Sequence, residues 1–210
     1  MPEDTLPTRE TLILRLRNSE DDASWREFVE IYTPLLFGYC RKRGLSSADT
    51  SDVVQEVMRS VSIAMKNFVY DPEKGKFKGW LFTAMRNAIG RHFKKQSRQP
   101  LTPADTLIVK FIEQTPDKTQ VDEWERDYER KLLVWAMEKV KPEFAERIWE
   151  AFTQTAIDNR EPEDVANEIG MTKNAVAIAK HRVIKRLREK ARAVDADQWE
   201  GEQIEKLQKI

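Results

Sequence analysis

EPEDVANEIGMTKNAVAIAKHRVIKRLRE, residues 161–189, carries its meaning in its spacing. Ala166 is small enough to let two helices approach. Gly170, four residues on, takes the turn, and Val176, six further, locks a second helix against the first. Val165, Ile169, Met171, Val183 and Leu187 fill the remaining apolar positions, and Thr172 is placed to cap the second helix. This is the pattern of a helix-turn-helix, the motif that lays its second helix in the major groove of DNA. With Val176, Ala179, Val183 and Leu187 turned inward, the outer face offers Lys173, Asn174, Ala177, Lys180, His181 and Lys185. Lysine and asparagine suit guanine and adenine edges, and a small alanine admits close approach. An ordinary helical hairpin with a solvated basic face would share this spacing, so the charge pattern of the whole chain has to discriminate.

The 210 residues have room for one or two domains. Charged residues make up 34% and hydrophobic ones 40%, a surface-rich mix, while seven glycines are about half the average usage. So little glycine leaves scant material for hairpins or phosphate-cradling loops and biases the chain towards helix. The formal net charge is zero, but its distribution is uneven. Lys74 to Arg98 holds eight basic residues and no acidic one, and Lys173 to Arg192 holds eight basic residues against Glu189 alone. Between them, Leu101 to Glu146 carries seven basic and eleven acidic residues. Two basic patches flanking an acidic stretch point to two contact surfaces for an anion.

The first of these patches has its own helical pattern. Over 78–96, steps of 100° put Leu81, Phe82, Met85, Ala88, Ile89, His92 and Phe93 on one broad side. Trp80, Thr83, Asn87, Arg91 and Lys94 fall on the other. An aromatic ring offers a stacking platform, asparagine pairs with a base edge, and cations neutralise phosphates; single-stranded or opened nucleic acid is what such a stripe suits. His92, on the apolar side, reads as a core histidine.

Around these segments the chain reads as helix and turn. Ser24 is placed to cap a helix through Trp25, Phe28, Val29, Tyr32, Leu35 and Leu36, with Pro34 expected to bend it and Gly44 to close it. A second helix from near Asp49 or Asp52 is expected to bury Val54, Val57, Val61, Ala64 or Met65, and Phe68, and to show Asp52, Gln55, Glu56, Arg59 and Ser62. DPEKGK (71–76) reads as a turn. From Ser97 to about Val121 three prolines and no sustained period suggest a linker with a short helical piece at 105–113. Further helices are expected at about 122–140, 142–157, 162–169 and 173–192, and the tail from Val194 is polar and weakly amphipathic.

Several classes fall away. No apolar run is long enough to span a membrane, and MPEDTLPTRETLILRLRNSE (1–20) lacks the basic start and apolar core of a secretory signal, so a cytoplasmic address is expected. Cys40 has no partner for an internal disulfide, and with His92 and His181 the only histidines, no metal site or cofactor is expected. Cys40 reads as a buried small hydrophobe.

Together these residues resemble the sigma-70 family of bacterial RNA polymerase sigma factors, in its extracytoplasmic-function (ECF) group. DVVQEVMRSVSIAMKNF (52–68) looks like region 2.2, KGKFKGWLFTAMRNAIGRHFKKQSR (74–98) looks like regions 2.3 and 2.4, and 130–190 is similar to region 4. The D-x2-Q-E run at Asp52 to Glu56 and the W-L-x4-R-N run at Trp80 to Asn87 are specific in combination. The resemblance implies an all-α fold of two helical domains, a region 2 bundle at 1–98 and a region 4 helix-turn-helix at 122–193. An extended linker at 99–121 would join them, and 194–210 would be a C-terminal tail. It implies a protein without catalytic residues that binds core RNA polymerase, on the clamp coiled coil of the largest subunit and the flap of the second. Asp52, Gln55, Glu56 and Arg59 would dock on the clamp. Asn87 and its neighbours Trp80, Thr83, Arg91 and Lys94 would hold flipped-out bases of the minus-ten element in the opened strand. Lys173, Asn174, Ala177, Lys180, His181 and Lys185 would contact the minus-thirty-five element as duplex promoter DNA. An anti-sigma factor is a further candidate partner.

Two alternatives stand beside this one. A one-component helix-turn-helix repressor would need an apolar pocket or self-complementary face within 1–100, and gives no reason for the Trp80/Asn87 stripe. An enzyme acting on nucleic acid would need carboxylate clusters or an activated nucleophile, whereas Asp21 with Asp22, and Glu163 with Asp164, sit where helices start.

Overall fold

A computed structural model describes residues 11–66, 77–96 and 102–195. Among these, all regular structure is helical. In chain order the helices are α1 (Leu12–Arg15), α2 (Asp22–Lys42), α3 (Ser47–Met65), α4 (Phe77–Gln96), α5 (Pro103–Glu113), α6 (Lys118–Val140), α7 (Glu146–Phe152), α8 (Pro162–Ile169) and α9 (Lys173–Arg192). The described residues divide into two compact units: 13–131, and 11–12 with 132–195.

Residues 13–131 form a bundle of α2, α3 and α4, with α5 and the first half of α6 packed onto it. The expected α3 positions Val54, Val57, Val61 and Met65 are buried, joined by Val53 and Thr50, while Ala64 is half-buried. Phe68 lies outside the described residues, as do 71–76. α4 buries Leu81, Phe82, Met85, Ala88, Ile89 and Phe93, the side that the 100° reading assigned inward. Aromatic rings occupy the centre. Phe28 stacks on Tyr32 (centroids 4.4 Å apart), Tyr32 on Tyr128 (5.7 Å), and Trp124 lies against both Phe82 (5.4 Å) and Tyr39 (5.5 Å). Cys40 is buried with its Sγ 3.9 Å from Met85 Sδ, and burial pushes its thiol pKa up to about 12. A thiol held protonated in this way packs as a small hydrophobe.

Helix starts differ from the expected ones by a few residues, for a local reason. Ser24 does not cap α2. Asp21 does, its Oδ1 accepting the Ser24 N–H (2.9 Å) and its Oδ2 the Ser24 hydroxyl (2.6 Å), which buries Ser24 in the first turn. An aspartate is as good an N-cap as a serine, and here it satisfies two donors at once. The carboxylate also accepts both bonds as an anion, which holds its pKa below the usual range. Ser46 caps α3, two residues or more before the expected start. α2 runs through Pro34 and stops at Lys42, with Gly44 at φ 83° just beyond.

The short helical piece expected at 105–113 is α5, fixed at its start by a capping box in which Thr102 and Asp105 bond each other's backbone N–H. α6 then begins at Lys118, and its residues up to 131 belong to the first unit and pack with α2 and α4. Trp124 and Tyr128 anchor it by burial, and the Trp124 indole N–H donates to the Lys78 carbonyl (3.1 Å). Lys42 Nζ reaches Asp127 (2.7 Å) and Glu123 (3.3 Å).

The second unit holds the helix-turn-helix. Val165, Ala166, Ile169, Val176 and Ala179 cluster with Ala151, and Met171 and Ile148 pack against them half-buried. Gly170 has φ 65°, a left-handed conformation that ends α8 at little cost only for glycine. Thr172 caps α9, its hydroxyl accepting the Ala175 N–H at 3.1 Å. The single helix expected over 142–157 is instead three pieces: a 3-10 turn at Lys141–Glu143, α7, and a π-helical turn at Thr153–Ile157. Phe144 is extended (φ −119°, ψ 145°), which separates the first two. In the π turn the Thr153 and Thr155 hydroxyls donate back to the Trp149 and Ala151 carbonyls (3.0 and 2.6 Å). Threonine bonding of this kind competes with the regular ladder and loosens it.

Candidate nucleic-acid interface

α4 presents the first surface. Trp80 is 39% exposed and lies at the N-terminal end of the helix, its ring against Phe77 (5.5 Å, tilted). Thr83 is exposed and its hydroxyl donates to the Gly79 carbonyl; Asn87, Arg91 and Lys94 are exposed beyond it. The five residues expected to share a face are therefore all solvent-facing, and the apolar opposite side fixes them there. An amide at Asn87 and an aromatic edge at Trp80 give this face hydrogen bonding and stacking together.

Not every cation of the patch belongs to that face. Of the basic residues at 78, 86, 91, 94 and 95, Lys78 and Arg86 are each only 4% exposed. The Lys78 ammonium sits 3.0 Å from Glu125 on α6. Arg86 donates from Nη1 to Gln120 Oε1 (2.7 Å) and from Nη2 to the carbonyls of Ile112 (2.9 Å) and Gln114 (2.5 Å). It thus ties α4 to the end of α5 and the start of α6. Arg86 precedes Asn87, so the residue with the exposed amide follows directly on a buried cation that is hydrogen-bonded to α5, the turn after it and α6. Counting charges along the sequence finds Arg86 but cannot show that it faces inward.

α3 and α4 meet across the expected boundary between two roles. Arg91, expected to face DNA, has its Nε 2.8 Å from Oε1 of Glu56, expected to face the polymerase. Both are well exposed, so the pair is cheap to open. Asp52, Gln55 and Arg59 are exposed on the same side of α3, and Ile63, 61% exposed, extends that face with an apolar residue the sequence pattern did not single out. His92, on the inward side, keeps its Nε2 2.8 Å from Asp49 Oδ1, as a core histidine with a polar partner.

α9 presents the second surface. Lys173, Asn174, Ala177, His181 and Lys185 are exposed. Lys173 pairs with Glu163 (3.0 Å), the bond raising its pKa above the ordinary lysine value. Lys180 is placed differently: it is half-buried and its Nζ donates to the Thr155 carbonyl (3.2 Å), capping an acceptor of the π turn. Arg186 is bound to Glu143 (2.5 Å) and Glu189 (3.2 Å) and fastens α9 to the 3-10 turn. Ile178 and Arg182, both exposed, share the outer side of α9 without having been anticipated.

Residues 28–99 match the family model for sigma-70 region 2. The ECF RNA polymerase sigma factor RpoE of Cereibacter sphaeroides is 28% identical over 119 residues, 57% of this chain and 62% of that protein. Over residues 28–99 the chain is therefore similar to sigma-70 region 2, and over 119 residues to an ECF sigma factor. It spans about three fifths of the length of that relative. A second similarity, to cytochrome P450 4c21 of Blattella germanica, is 27% over 108 residues and reaches half of this chain but 21% of that protein. No solved structure matches the chain at a significant level. The matched segment contains α3 and α4 whole, so the exposed Trp80–Asn87 stripe and the Asp52–Arg59 face both lie inside it. Among the described residues no helix is long and apolar enough to cross a membrane.

Proposed function

We propose that this chain is a sigma factor of the ECF group, which binds core RNA polymerase and directs initiation at specific promoters by recognising and opening promoter DNA. The observation that carries the reading is the exposed Trp80–Thr83–Asn87 stripe, with Arg91 and Lys94, on a helix whose other side is wholly committed to the core of region 2. A rigid helix presenting an aromatic ring and an amide three residues past Ala84 can stack on and pair with bases only once they leave the duplex. Promoter opening needs such a trap for unpaired bases. In this reading Asp52, Gln55, Glu56 and Arg59 dock on the clamp coiled coil of the polymerase. Lys173, Asn174, Ala177, His181 and Lys185 contact the minus-thirty-five element in the major groove, while Lys180 steadies the π turn behind them.

The chain then performs no covalent chemistry. Its work is differential binding: contacts to unpaired bases exist only in the open complex, so their free energy favours opening. Run-off transcription with core polymerase and a library of genomic promoters tests this. New transcripts sharing an upstream motif are expected, and Asn87→Ala is expected to lower open-complex formation while leaving association with core polymerase intact. Repression or duplex binding by the chain alone, with no polymerase-dependent transcript, would sink the sigma reading in favour of a repressor.

A further inference from the structure

We infer that Ile178 is a specificity-determining residue of α9 that reads the C5-methyl group of a thymine in duplex promoter DNA; the inference rests on the proposed DNA-contacting role of α9. α9 buries Val176, Ala179, Val183, Leu187 and Ala191, which fixes the direction that faces away from the protein. At about 100° per residue, Asn174 lies at the centre of that outward direction, with His181 and Lys185 each about 20° to either side of it. Ile178 lies about 40° from Asn174, one turn along, whereas Lys173 and Lys180 are about 100° or more away. Ile178 is therefore closer to the middle of the outward face than two of the lysines that the sequence pattern put there.

The side chain is 50% exposed. A lone exposed isoleucine is unremarkable on most surfaces. Here it stands on a face whose other groups are the Asn174 amide, the His181 imidazole, the Lys185 ammonium and the Arg182 guanidinium, with the small Ala177 beside it. The major groove offers one apolar feature, the thymine methyl, and polar groups of the protein cannot read it. β-branching also fixes χ1 of an isoleucine in a helix, so its methyl groups are held in place before any contact forms. Asn174, one turn before, has the bidentate geometry for adenine. The face is thus built for an A·T-containing step, with the amide on adenine and Ile178 on a thymine within about one step of it.

The test uses holoenzyme reconstituted from core polymerase and the full chain. Duplexes bearing the upstream element are first selected from a random pool with the wild-type protein. Each thymine of the selected element is then replaced singly by deoxyuridine, which removes the methyl and nothing else. Wild-type holoenzyme is expected to bind about fourfold more weakly at one such position, the value of one buried CH2-sized group. Ile178→Ala is expected to abolish the thymine-over-deoxyuridine preference there and to keep the preferences at other positions; Ile178→Val is expected to retain most of it. Equal binding at every thymine, or an unchanged preference in Ile178→Ala, overturns the assignment while leaving DNA contact by α9 standing. Selection of no duplex motif at all overturns that broader reading and this assignment with it.

Discussion

Replacing Arg86 by methionine should release α5 from the bundle. Methionine keeps most of the aliphatic packing beside the Phe82 ring, over which the guanidinium carbon lies at 5.7 Å, and removes the charge and its donors. The acceptors left behind differ in exposure. The Ile112 carbonyl bond is buried, and its loss orphans that oxygen at about 2 kcal/mol; the Gln114 carbonyl and Gln120 amide bonds are partly exposed and cost about 1 kcal/mol each. Against this total of about 4 kcal/mol stands the relief of a buried guanidinium, and a net of about 3 kcal/mol is a fair expectation. The loss falls on α5, the turn after it and the start of α6, since these supply the acceptors. α5 also lies close against α4 at Gly90, where a methyl would come 3.5 Å from Ile112. Amide hydrogen exchange is the assay. Amides of 103–113 should exchange about a hundredfold faster in Arg86→Met, while α2 and α3 change little. Arg86→Lys, with one ammonium in place of a fork, should fall between. Exchange within about threefold of wild type across α5, roughly 0.6 kcal/mol, would refute the reasoning that Arg86 is its tether.

Three further outcomes follow from the same geometry. Thr172→Ala removes the α9 cap and should cost about 1 kcal/mol, seen as a lower Tm; an unchanged melt would show the hydroxyl–Ala175 bond to be worth nothing. The Cys40 thiol, with its pKa pushed up to about 12, should resist thiol reagents at neutral pH until denaturant is added, and rapid labelling of the native protein would contradict its burial. The hydrogen bond from Arg186 holds the Glu143 carboxyl below its ordinary 4.5. A depressed native pKa contributes stability that is complete above the unfolded value and is lost as the pH falls through the native one. The Tm gap between wild type and Glu143→Gln should therefore be present at neutral pH and close in acid below 4.5. A gap that stays constant down to about pH 3 would mean that the carboxylate charge is not what binds Arg186.

The helices and their faces were legible in the sequence because burial follows a local period. Leu81, Phe82, Met85, Ala88, Ile89 and Phe93 declare the inward side of α4 by spacing alone, and that leaves Trp80, Thr83 and Asn87 outward. The turn of the helix-turn-helix was legible for a similar reason, since Gly170 meets a backbone requirement that few other residues can. Caps were less so: Asp21 and Ser24 are both good N-caps three residues apart, and only the completed first turn chooses between them.

What the tertiary structure decided is where like charges go. Lys78, Arg86 and Lys180 have the same local patterns as Lys94 and Lys185, yet they bind acceptors that come from 25 to 47 residues away in the chain. No sequence period encodes such a meeting, because a cation's inward turn depends on a distant carbonyl or carboxylate arriving beside it. The same holds for α6, whose first half is polar by count but is committed to the bundle by Trp124 and Tyr128. Sequence determined that this chain is helical, which faces are apolar, and that it carries the region 2 pattern of the sigma-70 family. Long-range packing decided which of its basic residues hold the fold and which remain on the surface to meet a partner.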